Sequence, residues 1–205
     1  MKIEIRTTGF YFTNSYIISN DKNECIVVDP GINYKSSSDY IYKNFKPLAV
    51  LLTHGHLDHI DGLEYFKDLP IYIYRDEIDL FFDNYKNLYY TINKTNPFNK
   101  GDLNLILVND LDEIKINDFK FIAYHTPGHT EGSVIYLIDD CLLTGDTLFK
   151  ESIGRTDMPT GNYSKIMESL DRIFNTFNDN IKCLPGHGEI TNIGYERINN
   201  PFYHK

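Results

Sequence analysis

Short runs of β-branched and aromatic residues recur along the chain and predict strands at 2–7, 15–19 and 25–29. The last of these closes in the turn Asp29-Pro30-Gly31. Apolar positions at Tyr40, Ile41 and Phe45 predict a helix over 38–45, ended by Pro47. The stretch 48–53 is continuously apolar and of strand length, the pattern of a strand covered on both faces. A short helix at 61–67, a strand at 71–74 and a helix over 77–88 follow, and then a polar, irregular stretch at 89–102. Strands return at 103–108, 119–125, 133–138 and 141–144, followed by a helix at 163–177 and a strand at 181–184. Strands in both halves, with helices falling between them, predict helices packed outside two central sheets, an α/β architecture. No internal repeat, low-complexity linker or charge block marks a boundary, so residues 1–205 read as one domain.

Composition narrows the class. Hydrophobic residues make up 41% and charged residues 24%, a globular balance that excludes wholesale disorder. The longest aliphatic run, 48–52, is too short to span a bilayer, and the N-terminus lacks the apolar core of a signal peptide. Cys25, Cys141 and Cys183 are odd in number and far apart in apolar stretches, which reads as reduced core thiols of a cytoplasmic protein. A net charge of −9 disfavours nucleic acid or an anionic membrane as a partner.

The candidate chemistry lies in the histidines. The chain has 7, and three fall in Thr53-His54-Gly55-His56-Leu57-Asp58-His59, directly after the buried strand. His54 and His56, two apart in an extended segment, face one side and can chelate one ion. Asp58 continues that alternation, and His59 points elsewhere. Three more predicted strands end in a small-residue turn carrying a potential ligand: Pro127-Gly128-His129, Gly145-Asp146 and Pro185-Gly186-His187. One metal would take His54, His56 and His129, the other Asp58, His59 and His187, with Asp146 bridging. Imidazole and carboxylate without thiolate suit two divalent ions, zinc first, with iron or manganese as alternatives. His125 and His204 read as structural.

As a set, His54-x-His56-x-Asp58-His59, His129, Asp146 and His187 resemble the metallo-β-lactamase superfamily, a resemblance that covers nearly the whole chain. It implies a four-layer αββα sandwich. Asp146 stands where zinc β-lactamases of that superfamily commonly carry cysteine, which disfavours antibiotic hydrolysis. Gly145-Asp146-Thr147-Leu148-Phe149 and Ile153-Gly154-Arg155-Thr156-Asp157 resemble glyoxalase II-like hydrolases and also persulfide dioxygenases. Leu184-Pro185-Gly186-His187-Gly188, Gly194-Tyr195-Glu196-Arg197, Asn200-Pro201-Phe202 and the early Asn14-Ser15-Tyr16 are similar to short bacterial glyoxalase II-type enzymes. The resemblance implies no C-terminal helical glutathione-binding domain, and a small acyl-thiol substrate such as an S-(2-hydroxyacyl)glutathione. It also implies Arg155 as a substrate contact. Thioester hydrolysis by a hydroxide held between two metals, with Asp58 orienting it, is the expected reaction. The alternative is a mononuclear-iron persulfide dioxygenase that uses the first triad alone. A phosphodiesterase or nuclease ranks below both, given the acidic balance and scattered arginines.

Overall fold

The computed structural model describes residues 1–203, so His204 lies outside the described residues. The first half builds one six-stranded sheet. Its strands are β1 (Lys2–Thr8), β2 (Thr13–Ser19), β3 (Glu24–Val28), β4 (Lys46–Leu51), β5 (Pro70–Tyr74) and β6 (Asn104–Val108), in that spatial order. The first three pair antiparallel and the rest parallel. Helices α1 (Lys35–Asn44), α2 (Leu57–Ile60) and α3 (Ile78–Phe82) punctuate this half.

The second half builds the other six-stranded sheet, which runs from the strand Thr191–Asn192 at one edge to Glu113–Ile116 at the other. Its strands are β7 (Glu113–Ile116), β8 (Phe119–His125), β9 (Val134–Ile138), β10 (Cys141–Gly145), β13 (Lys182–Pro185) and β14 (Thr191–Asn192). A small hairpin, β11 (Leu148–Phe149) with β12 (Ser152–Ile153), and helices α4 (Tyr163–Thr176) and α5 (Ile193–Asn199) complete it.

Strand periodicity explains the layering. On β2, β3 and β4, Tyr16, Ile18, Ile26, Val28, Ala49 and Leu51 face the other sheet, where they meet Phe119, Phe121, Val134, Tyr136 and Leu143. The intervening Ile17, Val27 and Val50 point the opposite way, onto Ile41 of α1 and Phe81 of α3. Ile135 and Leu142 likewise face outward, onto Leu170, Ile173 and Phe174 of α4. Both faces of both sheets are therefore covered, which is why the central strands read as unbroken apolar runs. The result is the expected four-layer αββα sandwich.

Four expectations need correction. The helix over 77–88 shrinks to α3. Asp83 accepts hydrogen bonds from the Tyr85 and Lys86 amides, and Asn87 donates to the Phe81 carbonyl, so side chains capture the backbone groups a longer helix would use. The segment at 61–67 is a 3-10 turn, Asp61–Phe66, that follows α2. Helix α1 ends before Pro47 as expected, but the strand after it starts earlier than expected and takes Pro47 in. The register against β3 shifts between Cys25 and Ile26, so Leu48 is the extra residue of a bulge beside a proline that has no amide to give. Strands β7, β11, β12 and β14 and helix α5 were absent from the sequence reading and are short.

The site lies at one edge of the sandwich, where strand ends of both sheets converge. Antiparallel pairing of β8 with β9 and of β9 with β10, then parallel pairing of β10 with β13, makes β8, β10 and β13 end at one edge. The chain leaving β4 reaches the same edge, where the Val134 amide donates to the Thr53 carbonyl at 2.9 Å and the Tyr136 hydroxyl to the Leu52 carbonyl at 3.0 Å.

Candidate metal centre

Four loops leave those strand ends, and each is tied down by backbone groups and buried side chains. The loop after β8 is held by α4, through the Asn162 amide on the Gly128 carbonyl and the Ser169 hydroxyl on the Pro127 carbonyl. The loop after β13 is held by β2. Asn14 Nδ2 donates to the carbonyls of Pro185 and Gly188, and the Tyr16 hydroxyl donates to Pro185. The Asn14-Ser15-Tyr16 motif therefore acts on the His187 loop, 171 residues away at its Asn14 to Pro185 bond.

These loops bring all seven sequence-predicted ligands together. His54, His56 and His129 offer ligand atoms within 4.8 Å of one another, and so do Asp58, His59 and His187. A third group, His54, His59 and Asp146, joins the two. Asp146 stands between the triads, with Oδ2 3.6 Å from His129 Nε2 and 3.4 Å from His187 Nε2, and Oδ1 3.4 Å from His59 Nε2. Nothing larger than glycine fits at Gly186, where a Cβ would press on Asp146 Oδ1 and lie 2.8 Å from His59 Cε1.

The outer hydrogen bonds decide which nitrogen of each ring faces inward. His129 Nδ1 donates to the Arg155 carbonyl at 2.8 Å and His187 Nδ1 to the Tyr11 carbonyl at 3.0 Å. His59 Nδ1 donates to Asp29 Oδ2 at 3.0 Å. The Thr53 hydroxyl also donates to Asp29 Oδ2, at 2.7 Å, so its oxygen is left to accept from His54 Nδ1 at 3.2 Å. Each of these four rings therefore turns its Nε2 toward the centre. Asp29, read from sequence only as part of a turn, orients one ring of each half.

The residues fit a pair of cations. The buried Nε2 atoms of His54 and His59 and Oδ1 of Asp146 have no hydrogen-bond partner. Leaving three such atoms unpaired in a protein interior costs about 1–3 kcal/mol each. His56 Nδ1 and His129 Nε2 are 3.0 Å apart, a spacing that requires a proton or a cation between them.

The electrostatics divide the site. Burial, reinforced by the neighbouring rings, holds His54 well below its ordinary value, and burial takes His56 down to about 3. Burial lowers His129 too. Burial also opposes the charging of His59 and His187, but there the carboxylates win. Asp58 and Asp146 carry His59 well above its ordinary value, and Asp146 and Asp58 carry His187 up to about 10. Burial resists ionisation of Asp58 and Asp146 as well, yet the same two imidazolium groups hold both carboxyls below their ordinary range. One half thus presents neutral imidazoles, and the other a compensated ion cluster whose protons a divalent cation would displace.

A cavity of about 550 Å³ opens over this cluster, lined by His56, Asp58, His129, Asp146 and His187 at its polar end. Its walls carry Tyr11, Tyr85, Leu88, Tyr90, Ile153 and Met158. The irregular stretch at 89–102 is mostly anchored: Tyr89 is buried with its hydroxyl on Asp61, Phe98 is buried, and Asn96 donates to the Phe81 carbonyl. Of this stretch only its start reaches the cavity, where Tyr90 and Thr91 join Tyr85 and Leu88 in the wall. Arg155 lines the cavity, but its Nε and Nη2 both donate at 2.9 Å to the Asp157 carboxylate. His125 stacks on Tyr74 at 4.2 Å and stands outside the cluster, as the sequence implied. Cys25, Cys141 and Cys183 are buried, unpaired thiols, each pushed upward first by burial. Among the described residues, no helix is long and apolar enough to cross a membrane.

The family model described as the metallo-beta-lactamase superfamily matches residues 8–187, and the chain belongs to that superfamily, whose members bind divalent metals. Two relatives narrow the neighbourhood. "Probable metallo-hydrolase YqgX" of Bacillus subtilis is 32% identical, covering 98% of this chain and 97% of its own. "Hydroxyacylglutathione hydrolase GloC" of Haemophilus influenzae is 32% identical, with 98% of each covered. Among solved structures, BLEG-1, described as a B3 metallo-beta-lactamase, superposes with a TM-score of 0.91 at 30% identity over the whole of both chains. TTHA1623 in a di-iron-bound form gives 0.80 at 26% identity, covering 97% of this chain and 99% of that one. ETHE1 of Myxococcus xanthus gives 0.77 at 25%, covering 98% and 84%.

Proposed function

We propose that this metallo-hydrolase-family protein cleaves acyl thioesters, with an S-(2-hydroxyacyl)glutathione or a related acyl thiol as substrate, at a centre of two divalent ions. The observation that carries the reading is the complete second ligand set. Asp58 and His187 line the floor of an open cavity with the buried His59 grouped beside them, and Asp146 stands between this group and the first triad. The ligands would be His54, His56 and His129 on one side, Asp58, His59 and His187 on the other, and Asp146 across both. Zinc is the proposed metal, with iron or manganese as alternatives.

Bound there, divalent ions supply a water acidified to near neutrality and a Lewis acid for a carbonyl oxygen. The protein supplies the rest. Thr13 Oγ1 donates to Asp58 Oδ2 at 2.9 Å and fixes that carboxylate at the cavity floor, where it would orient the attacking oxygen. The tyrosine and aliphatic walls exclude bulk water from the acyl group. The C–S bond breaks as the carbonyl re-forms, and the sulfur departs as thiolate. A thiol pKa near about 8.5 means that departure needs no general acid. Arg155 is proposed to meet a carboxylate of the thiol carrier after leaving Asp157. Both side chains are about 70% exposed, so the exchange costs little.

GloC similarity supports the acyl-thiol reading. A mononuclear-iron persulfide dioxygenase is the second reading, supported by the likeness to ETHE1. The test is a panel of S-lactoylglutathione, other acyl glutathiones and acyl-CoA, followed as free thiol on metal-reconstituted protein, with nitrocefin and glutathione persulfide alongside. Chelator-sensitive thiol release is expected. Oxygen consumption with the persulfide and silence on thioesters would reverse the ranking.

A further inference from the structure

One buried acid belongs to no ligand set. Glu77 ends the 3-10 turn Arg75–Glu77 after β5 and is fully buried. No cation faces it. Its three partners are donors from two different ligand loops. Oε1 accepts from the Gly55 amide at 2.8 Å, the amide between His54 and His56. Oε2 accepts from the Gly132 amide at 2.8 Å and from the Thr130 hydroxyl at 3.0 Å, both just beyond His129. The approach is close enough to dictate the sequence: a Cβ at Gly132 would run into the Glu77 backbone and lie 2.6 Å from Oε2. A buried carboxyl is costly to keep, and burial pushes this one up to about 7. A structural hydrogen bond between two loops could be made by a neutral residue at lower cost.

We propose that Glu77 is a positioning residue that clamps the His54–His56 loop to the His129 loop and so sets the spacing of the first metal triad. Through its three bonds, one rigid point on the first sheet fixes loops that come from both sheets. The inference rests on the two-metal reading but not on the choice of substrate. Outer groups that orient metal ligands are typically worth about 10–100-fold in metal affinity.

The test is Co(II) titration of metal-free wild type and Glu77→Gln, read by visible absorption, with competition against a chromophoric chelator. Glu77→Gln keeps the length but turns an NH₂ toward at least one of the donors. Expected is a loss of about 10–100-fold in affinity at one of the two sites, with a changed absorption band for that site and the other site as in wild type. A purely structural strut would lower the melting temperature of the metal-free chain and leave both affinities and spectra unchanged, and that result overturns the proposal. Should Glu77→Gln fail to fold, Thr130→Val removes a single donor. It is expected to weaken the same site severalfold, and unchanged binding again overturns the proposal. Wild type that binds both metals but releases no thiol sinks the substrate reading alone.

Discussion

Asp29 is the residue whose replacement reads the site most finely. Its carboxylate accepts three buried donors: the Thr53 amide at 2.8 Å, the Thr53 hydroxyl at 2.7 Å and His59 Nδ1 at 3.0 Å. Alanine would orphan all three at about 1–3 kcal/mol each, a total of about 3–9 kcal/mol. Domain stabilities are themselves about 5–15 kcal/mol, so Asp29→Ala tests little beyond folding. Asp29→Asn is the informative change, since Asn tolerates the φ of 49° at this position. With its oxygen toward the Thr53 amide, its NH₂ faces the Thr53 hydroxyl and His59 Nδ1. His59 must then carry its proton on Nε2, and the Thr53 hydroxyl must turn to donate to His54 Nδ1, moving that proton to Nε2 as well. Two inward lone pairs, one in each half of the centre, become N–H groups. Metal affinity should fall about 10–100-fold at each site, while denaturant unfolding of the metal-free protein loses only about 1–3 kcal/mol. The assays are chelator competition and imidazole ¹⁵N spectra of the zinc-loaded chain. Unchanged affinity, or a His59 that keeps its proton on Nδ1, would refute the tautomer argument.

Further outcomes follow from the same contacts. Arg155→Ala should raise KM for anionic acyl thiols about tenfold with kcat unchanged, and Asp157→Asn, which frees the guanidinium, should lower KM; steady-state kinetics in both variants decide, and unchanged KM values assign the pair to structure. Glu77 titrates higher in the fold than in the unfolded chain, where a carboxyl sits near 4.5, so the unfolded state loses its proton first. Stability of the metal-free protein relative to Glu77→Gln should therefore be fully present below about pH 4.5 and fall by about 3 kcal/mol as pH rises through 7. Urea unfolding at stepped pH measures this, and parallel curves for the two proteins would contradict it.

The gathering of the seven side chains was legible because His54, His129, Asp146 and His187 each stand in a turn spelled by Gly or Pro after an apolar run, with His56, Asp58 and His59 following directly at and in α2. The layers were legible from β2, β3 and β4, whose continuous apolar residues require cover on both faces. What tunes the ligands was not. Two of the acceptors are main-chain carbonyls, of Tyr11 and Arg155, which carry no residue signature. Asp29 was visible only as a turn residue, and its role depends on Thr53 from the next strand of the sheet. The helix over 77–88 failed for a local reason. Ile78, Phe81, Phe82, Tyr85 and Leu88 keep helical spacing, but Asp83 and Asn87 outcompete the helix for its own backbone.

The central claim, that seven side chains hold two divalent ions for acyl-thiol hydrolysis, meets its most direct test in a stoichiometric titration. Metal-free protein is titrated with Zn²⁺ while thiol release from an S-acyl glutathione is followed at each ratio. Activity is expected to rise to a plateau at two equivalents per chain. A plateau at one equivalent, or no thiol release at any ratio, contradicts it.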